Sequence, residues 1–389
     1  MNILQITSDW KWTGPAEPML LVLGALRARG HEVFFSCPES PEGDGPGVAT
    51  MARERGFENR LRLIRARGAM WPRDSSDALR LRSFLAREKI DLVHSWHTRD
   101  HVLAAMAVRG LRSACRVPVV RSYSEGNRIS GVPWNRLLFG PGCDGLLCAG
   151  ERMASENSRF RGGRPTAAWW GAVSLDRFNP SAYKTSDRIE VYRSLGFGDR
   201  ALGGVIGIVA RVQRHRRFDL LLEAMKKLVQ THPAAKLLVI GRGTHLEKVA
   251  RVPAARLGLE DHVVFTGYRD KDYASVLASL DLLTFLVPGS DGTCRAVLEA
   301  AALGVPAVVT KRGALPEIVS DGETGLVVEE DPTVLAAAWG RLLDDQAERK
   351  KMGNAARRRA ELTFSRDRAA ERMEQFYSSV LATCRRGRG

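Results

Sequence analysis

Nowhere in the 389 residues do about 18 apolar residues run together, so no membrane-spanning helix is expected. The opening residues, MNILQITSDW, lack a basic stretch followed by an apolar one, so they read as a strand rather than a signal peptide. The six cysteines (Cys37, Cys115, Cys143, Cys148, Cys294, Cys384) are scattered. Four residues separate Cys143 from Cys148, but no further His or Cys pair stands by to complete a zinc site. Reduced thiols and a cytoplasmic location are the expectation. The dinucleotide fingerprint G-x-G-x-x-G is also missing. The first loop reads SDWKWTGPAE, and Gly203-Gly204 precedes its strand instead of following it. Asp-x-Asp occurs only once, as Asp270-Lys271-Asp272. It opens an expected helix and carries a lysine, so it reads as a cap and no metal site is expected.

What is present is a basic, well-cored chain. A hydrophobic content of 44% and a mean hydropathy of −0.19 fit a soluble globular protein long enough for two domains. The net charge is +15, which attracts nucleic acid, acidic lipid or anionic substrates. Arginines cluster at 52–73 (ARERGFENRLRLIRARGAMWPR), at Arg357-Arg358-Arg359 and in the tail CRRGRG. The first cluster interleaves arginine with Phe57, Leu61, Leu63, Ile64 and Trp71, which fits a segment lying on the inner face of an anionic membrane. A plain solvated arginine-rich surface is the alternative. Basic residues elsewhere are dispersed rather than laid with aromatics along one face, so a nucleic-acid partner is not expected.

Strand and helix patterns alternate along the chain. Strands are expected at 2–7, 32–36, 91–95, 117–122 and 145–148, with helices at 17–29, 76–89 and 100–109 between them. Residues 171–200 break the rhythm. A second series follows: strands at 204–210, 236–240, 262–266, 281–287, 306–309 and 326–328. Its helices fall at 218–231, 244–257, 271–279, 294–303, 332–345 and 347–362. The organisation read from this is residues 1–178 as a first Rossmann-like domain and 179–200 as a linker. A second such domain spans 201–365, and a last helix with a basic tail spans 366–389. Ligands in such sheets bind outside the carboxyl ends of the strands, so two facing α/β domains with a cleft between them are expected.

The stretch that organises the chain is DLLTFLVPGSDGTCRAVLEAAALGVPA, residues 281–307. A buried strand ends in a Pro-Gly-Ser turn, and a short loop, Asp291-Gly292-Thr293-Cys294, opens a helix that Gly304 and Pro306 stop. Free N–H groups and about half a positive charge at such a helix start form an anion site. Asp291 and Glu299 flank it, eight residues apart, which at ~1.5 Å rise per residue spans on the order of 10 Å. A ligand with phosphate in the middle and hydroxyl-rich ends, such as a sugar nucleotide, has that shape. A simple cap and turn is the bland alternative.

This stretch resembles the signature of the family-4 (group 1) retaining glycosyltransferases, in which two glutamates are separated by seven residues; Asp291 stands in place of the first. WTGPAEPMLLVLGALRARGHEV resembles the family's Gly-Gly loop and first helix, with Thr13-Gly14 at the glycine pair. GAVSLDRFNP, ARVQRHRRFDLLLEAM, EIVSDGETGLVV and MGNAARRRAELTFSRDRAAERMEQFY are similar to later family segments in the same order. The resemblance covers nearly the whole chain. It implies the GT-B fold, with two facing Rossmann-like doubly wound parallel-sheet domains.

The resemblance also implies roles. Arg211 matches a phosphate-binding arginine, and Arg216 stands where lysine is usual. Gly292, Thr293, Cys294 and Arg295 would supply backbone N–H groups to the same diphosphate, with Leu298 on that helix. Glu299 would take the ribose, and Asp291 the donor-sugar hydroxyls. Tyr268 and Arg269 match the base-contacting loop, and Gly241-Arg242 falls in its Gly-x-Gly. In the first domain Ser124, after Tyr123, stands where relatives carry histidine; His97 is a candidate for the same place, and Glu125 another acid on the loop.

The expectation is a retaining transferase without metal or other cofactor. It would move a sugar from a nucleoside diphosphate to a saccharide or lipid-linked acceptor, in cell-envelope glycolipid or polysaccharide synthesis. Arg211 and Arg216 would meet the charge on the departing diphosphate. A phosphorylase would need a lysine for pyridoxal phosphate, and none stands in the cleft loops. An epimerase-type enzyme and a degenerate sugar-nucleotide binder remain as alternatives.

Overall fold

The computed structural model describes all residues except 13, 42–46, 62, 64–72, 110–115, 125–127, 184, 198–203, 290, 291, 293 and 387–389. In chain order the first half gives β1 (Asn2–Ile6), α1 (Ala16–Ala28), β2 (Glu32–Ser36), α2 (Val48–Glu54), α3 (Arg73–Arg87), β3 (Leu92–Ser95) and α4 (Thr98–Arg109). It continues with β4 (Val119–Tyr123), α5 (Pro133–Phe139), β5 (Gly145–Cys148), α6 (Glu151–Phe160) and β6 (Thr166–Ala168). The second half gives α7 (Thr185–Ser194), β7 (Val205–Val209), α8 (Phe218–Leu228), β8 (Lys236–Ile240), α9 (Val252–Arg256), β9 (Val263–Gly267), α10 (Tyr273–Ala278) and β10 (Leu282–Phe285). Then come α11 (Arg295–Ala302), β11 (Ala307–Thr310), α12 (Leu315–Ile318), β12 (Gly325–Val328), α13 (Pro332–Asp344), α14 (Gln346–Arg359) and α15 (Arg366–Arg386).

Two compact units result. One is Met1–Ala172 with Ser290–Thr293 and Arg366–Gly389; the other is Val173–Gly289 with Cys294–Ser365. Each holds a six-stranded parallel sheet, ordered β2-β1-β3-β4-β5-β6 and β12-β11-β10-β7-β8-β9. In both, the chain starts on an inner strand, runs outward to one edge, then crosses back over that first strand and fills the other side. The switch places β1 beside β3, and β7 beside β10.

Central strands are apolar on both faces, as a sheet covered on both sides requires. Ile206, Leu237, Leu282 and Val308 lie in one core with Phe218, Leu221 and Trp339 from the helices. In the first unit, the core beneath α1 takes in Ala369, Met373 and Tyr377 of α15.

The six strands expected in the second half are present, as are the five expected in the first, which has a sixth that was not expected. The sixth, β6, is three residues long with no alternation to betray it. The stretch 179–200 read as a linker contains α7 and belongs to the second unit. There Tyr192 donates to the Ser279 carbonyl at 2.7 Å, and Arg188 pairs with Asp281 at 2.8 Å. The helix expected over 244–257 is interrupted. Residues Glu247–Arg251 form a wider turn ahead of α9, because Pro253 has no N–H to donate back into the ladder.

Candidate functional site

In the second unit three strand ends are laced together by backbone. Ala210 N–H donates to the Ile240 carbonyl at 3.1 Å, and Gly241 N–H to the Gly267 carbonyl at 2.9 Å. The loops meet so closely that a Cβ on Gly241 or on Gly243 would lie 2.2 Å from the carbonyl oxygens of Ala210 and Val212 respectively. Gly241 also has φ +142°, which L residues avoid. The Gly-x-Gly is thus a packing requirement of the strand ends.

The side chains around this seam are charged or aromatic. The Arg242 guanidinium sits 5.3 Å from the ring centre of Tyr268, which is 58% exposed. Arg269 pairs with Asp272 at 2.6 Å. Asp272 is therefore at the start of α10 as expected, but its carboxylate holds an arginine instead of capping the helix.

Arg211 and Arg216, read together from the sequence, differ. Arg211 is exposed and makes no ion pair or hydrogen bond among the described residues. Arg216 donates through Nη1 to the carbonyls of Val287 and Pro288, both at 2.8 Å. It braces the turn that follows β10.

Helix α11 begins at Cys294 with no side-chain cap and no acid in its first turn. Its first N–H groups have no carbonyl of the preceding helical turn to donate to and point toward the loop ahead of it. Cys294 and Leu298 are buried, at 0% and 1% exposure, so any role of theirs in binding falls to the backbone. Glu299 is also buried, at 3%, and already held: Arg295 Nε donates to it at 2.5 Å and the Tyr273 hydroxyl at 2.7 Å. Burial, and then the neighbouring Glu299 charge, push the Tyr273 phenol well above its ordinary range, so it stays a donor. Asp291 and Thr293 lie outside the described residues.

The first unit carries a pocket at the carboxyl ends of β1, β3 and β4. Asp9, Trp96, His97, Ser122, Ser124 and Trp169 line it. Asp100, fully buried, accepts through one oxygen from the backbone N–H groups of Ser8, at 2.9 Å, and His97, at 3.0 Å. It ties the loop after β1 to the loop after β3. Tyr123 does not reach the pocket. Alternation along β4 sends its ring to the opposite face, 5.6 Å from Phe139, while Ser122 and Ser124 face in. Gly14 lies in the exposed turn before α1; Thr13 and Glu125 fall outside the described residues. Gly292 belongs to this unit, at φ +65°, where a Cβ would lie 2.5 Å from the Ser124 carbonyl oxygen.

Sequence reasoning missed Asp100, Trp96, Trp169 and Tyr273. Asp100 had a signal: it lies three residues into the stretch after His97, the spacing at which an acid reaches back to a helix start. The others had none, because strand order alone brings them together.

Two family models match the chain, end to end in the order of the two sheets. Glycosyltransferase Family 4 covers residues 19–176, and Glycosyl transferases group 1 covers residues 203–359. The chain belongs to the family-4, group 1 glycosyltransferases. Among curated members of this family it is 33% identical over 225 residues to the D-inositol 3-phosphate glycosyltransferase of Corynebacterium jeikeium, covering 55% of this chain and 52% of that one. It is 35% identical over 195 residues to the GDP-mannose-dependent alpha-(1-6)-phosphatidylinositol monomannoside mannosyltransferase of Mycolicibacterium smegmatis, covering 48% of this chain and 49% of that one. The chain therefore spans about half the length of the curated relatives it matches. The fold of this family-4 chain is shared with Anabaena HepE, solved in complex with UDP: TM-score 0.77, 17% identity, 97% of this chain and 100% of that one. The two parallel sheets are those of the GT-B architecture.

Proposed function

We propose that this chain transfers a sugar, with retention and without a metal, from a nucleoside-diphosphate sugar to an acceptor hydroxyl. The observation that carries the reading is the pairing, in a member of this family, of Arg211, exposed and without an ion pair or hydrogen bond among the described residues, with the start of α11, whose first turn holds no acid. Both are positive, and both stand at strand ends of one sheet. A diphosphate held there develops charge as the glycosidic bond breaks, and fixed cations lower that barrier. The same cations do the work a divalent ion would do, so full turnover in EDTA is expected; loss of activity restored by manganese would overturn the metal-free claim.

The exposed Tyr268 face, steadied by Arg242, suits a nucleobase. Glu299 suits the ribose hydroxyls once Arg295 or Tyr273 yields an oxygen. The acceptor belongs to the first unit's pocket, where His97 and Ser124 stand. The relatives named above act on inositol phosphate and phosphatidylinositol mannoside, which favours a polyol or glycolipid acceptor. No helix among the described residues is long and apolar enough to cross a membrane. The half-exposed Leu79 beside Arg60, Arg80 and Arg87 supports contact with an anionic lipid surface, tested by co-sedimentation with neutral and acidic vesicles.

A thermal-shift panel of UDP, GDP and ADP with their sugars, without metal, tests the whole reading. A rise in Tm with one nucleotide, absent in Arg211→Ala, supports it. A second reading, a binder without turnover, draws on one observation: Glu299 is already paired on both oxygens. Nucleotide binding without transfer to any acceptor would favour it.

A further inference from the structure

Beneath the first unit's pocket runs a chain of buried polar groups whose direction can be worked out from one end. Trp96 Nε1 lies 2.8 Å from Gln5 Oε1. An indole nitrogen only donates, so the Gln5 atom facing it is its oxygen. Gln5 Nε2 therefore faces the Tyr377 hydroxyl, 2.9 Å away, and donates to it. The Tyr377 proton goes onward to His94 Nδ1, at 2.6 Å. With Nδ1 accepting, a neutral His94 carries its proton on Nε2 and donates it to Ser122 Oγ at 2.8 Å.

Neutrality of His94 follows from its place. It is wholly buried beside Arg121, and burial first, then that arginine, hold its pKa down to about 3. The ring stacks on Trp96 at 4.6 Å and meets the edge of Tyr377 at 5.7 Å, and turning it over would put carbons where both hydrogen bonds now are. Ser122 thus receives a hydrogen bond and has its own proton left to give. Among the described residues nothing accepts that proton, and Ser122 lines the pocket.

The geometry points to Ser122 as a one-way hydrogen-bond donor in the acceptor pocket, which we propose takes a polyhydroxylated ring with one hydroxyl oxygen seated on Ser122. His94 is then a positioning residue and never the base that would activate Ser122. Trp96 and Trp169, edge to face at 6.0 Å, offer apolar surface to a ring face. Asp9, His97 and Ser124 offer polar partners to its rim. Tyr377 lies on α15, so the last helix sets the direction of a bond in the pocket. This inference rests on reading the pocket as the acceptor's.

Two measurements on the full chain test it. Histidine-labelled ¹⁵N NMR should find two rings neutral from pH 5 to 8, those of His94 and His101; the one lost from the spectrum in His94→Gln, and kept in His101→Gln, should carry its proton on Nε2. A proton on Nδ1, or an imidazolium, overturns the direction of the chain. Tryptophan fluorescence titration with myo-inositol and methyl α-mannoside should show saturable binding. Ser122→Ala should weaken it about three- to tenfold, the effect of one neutral hydrogen bond, and Ser122→Thr should restore it. Equal binding by Ser122→Ala overturns the donor role, and no binding of either ring by the unaltered protein overturns the ligand class. The nucleotide thermal shift, read in the same variants, should not change. Its failure with ring binding intact would sink the transferase reading and leave this one.

Discussion

The guanidinium of Arg295 holds the carboxylate of Glu299 at 2.5 Å, one turn along the helix that opens the anion site. Side chains four apart on a helix face each other, and here the acid is almost fully buried while the arginine reaches the surface. The two residues are coupled, so a ligand that takes one oxygen of Glu299 meets a carboxylate already fixed in place.

Glu299→Ala should therefore do two things. The nucleotide-induced rise in Tm should vanish. The unliganded protein should lose about 1–3 kcal/mol, because Tyr273 is left buried without its acceptor. Thermal melts with and without nucleotide separate the two effects; unchanged nucleotide binding would remove Glu299 from the site.

Arg211 and Arg216 should separate in the same assay. Arg211 is exposed and makes no ion pair or hydrogen bond among the described residues, so Arg211→Ala should leave the unliganded Tm nearly unchanged. It should lower kcat/KM by roughly 10- to 100-fold, the worth of one charge-assisted hydrogen bond. Arg216 holds the Val287 and Pro288 carbonyls, so Arg216→Ala should lower Tm as well as raising the donor KM.

Gly243→Ala places a methyl group against the Val212 carbonyl oxygen. Backbone on both sides cannot yield cheaply, so a loss of about 1–3 kcal/mol is expected from overpacking alone. Urea denaturation measures it. A loss near zero would mean the three strand ends are looser than their hydrogen bonds imply.

Two buried histidines make the fold acid-sensitive. His94 and His101 are each held down to about 3 by burial first and then by Arg121, against an ordinary 6.5. The Gly142 carbonyl partly opposes this at His101. Between pH 6.5 and 3 the unfolded chain binds a proton at each that the folded chain refuses. Stability is then full above pH 6.5 and falls as pH drops, by about 1.4 kcal/mol per pH unit for each histidine. His101→Gln should remove one share of that slope in urea melts taken from pH 7 to pH 4.

Sequence order alone carried much of this protein. The apolar runs Ile206–Val209, Leu237–Ile240 and Leu282–Phe285 read as strands because a sheet covered on both faces needs them apolar throughout. The loop ahead of Cys294 and the stop at Gly304 marked the helix and its anion-binding end, because caps and stops are local chemistry. Arg211 and Arg216 were legible as basic residues on one loop, and the family resemblance gave both the same expected role at the diphosphate.

Tertiary structure decided which arginine is free, because Arg216 meets carbonyls 71 and 72 residues away that no local pattern predicts. It sent Tyr123 into the core and turned Ser122 to the pocket, a choice made by which face of β4 each residue lands on. It brought Tyr377 from the last helix to His94 and Gln5, 283 and 372 residues distant in the chain. The sequence determined the two sheets and the charged helix start, whose causes lie within a few residues. The direction of the hydrogen bonds and the occupancy of Glu299 came from the fold alone, because they depend on partners that only the sheet order sets side by side.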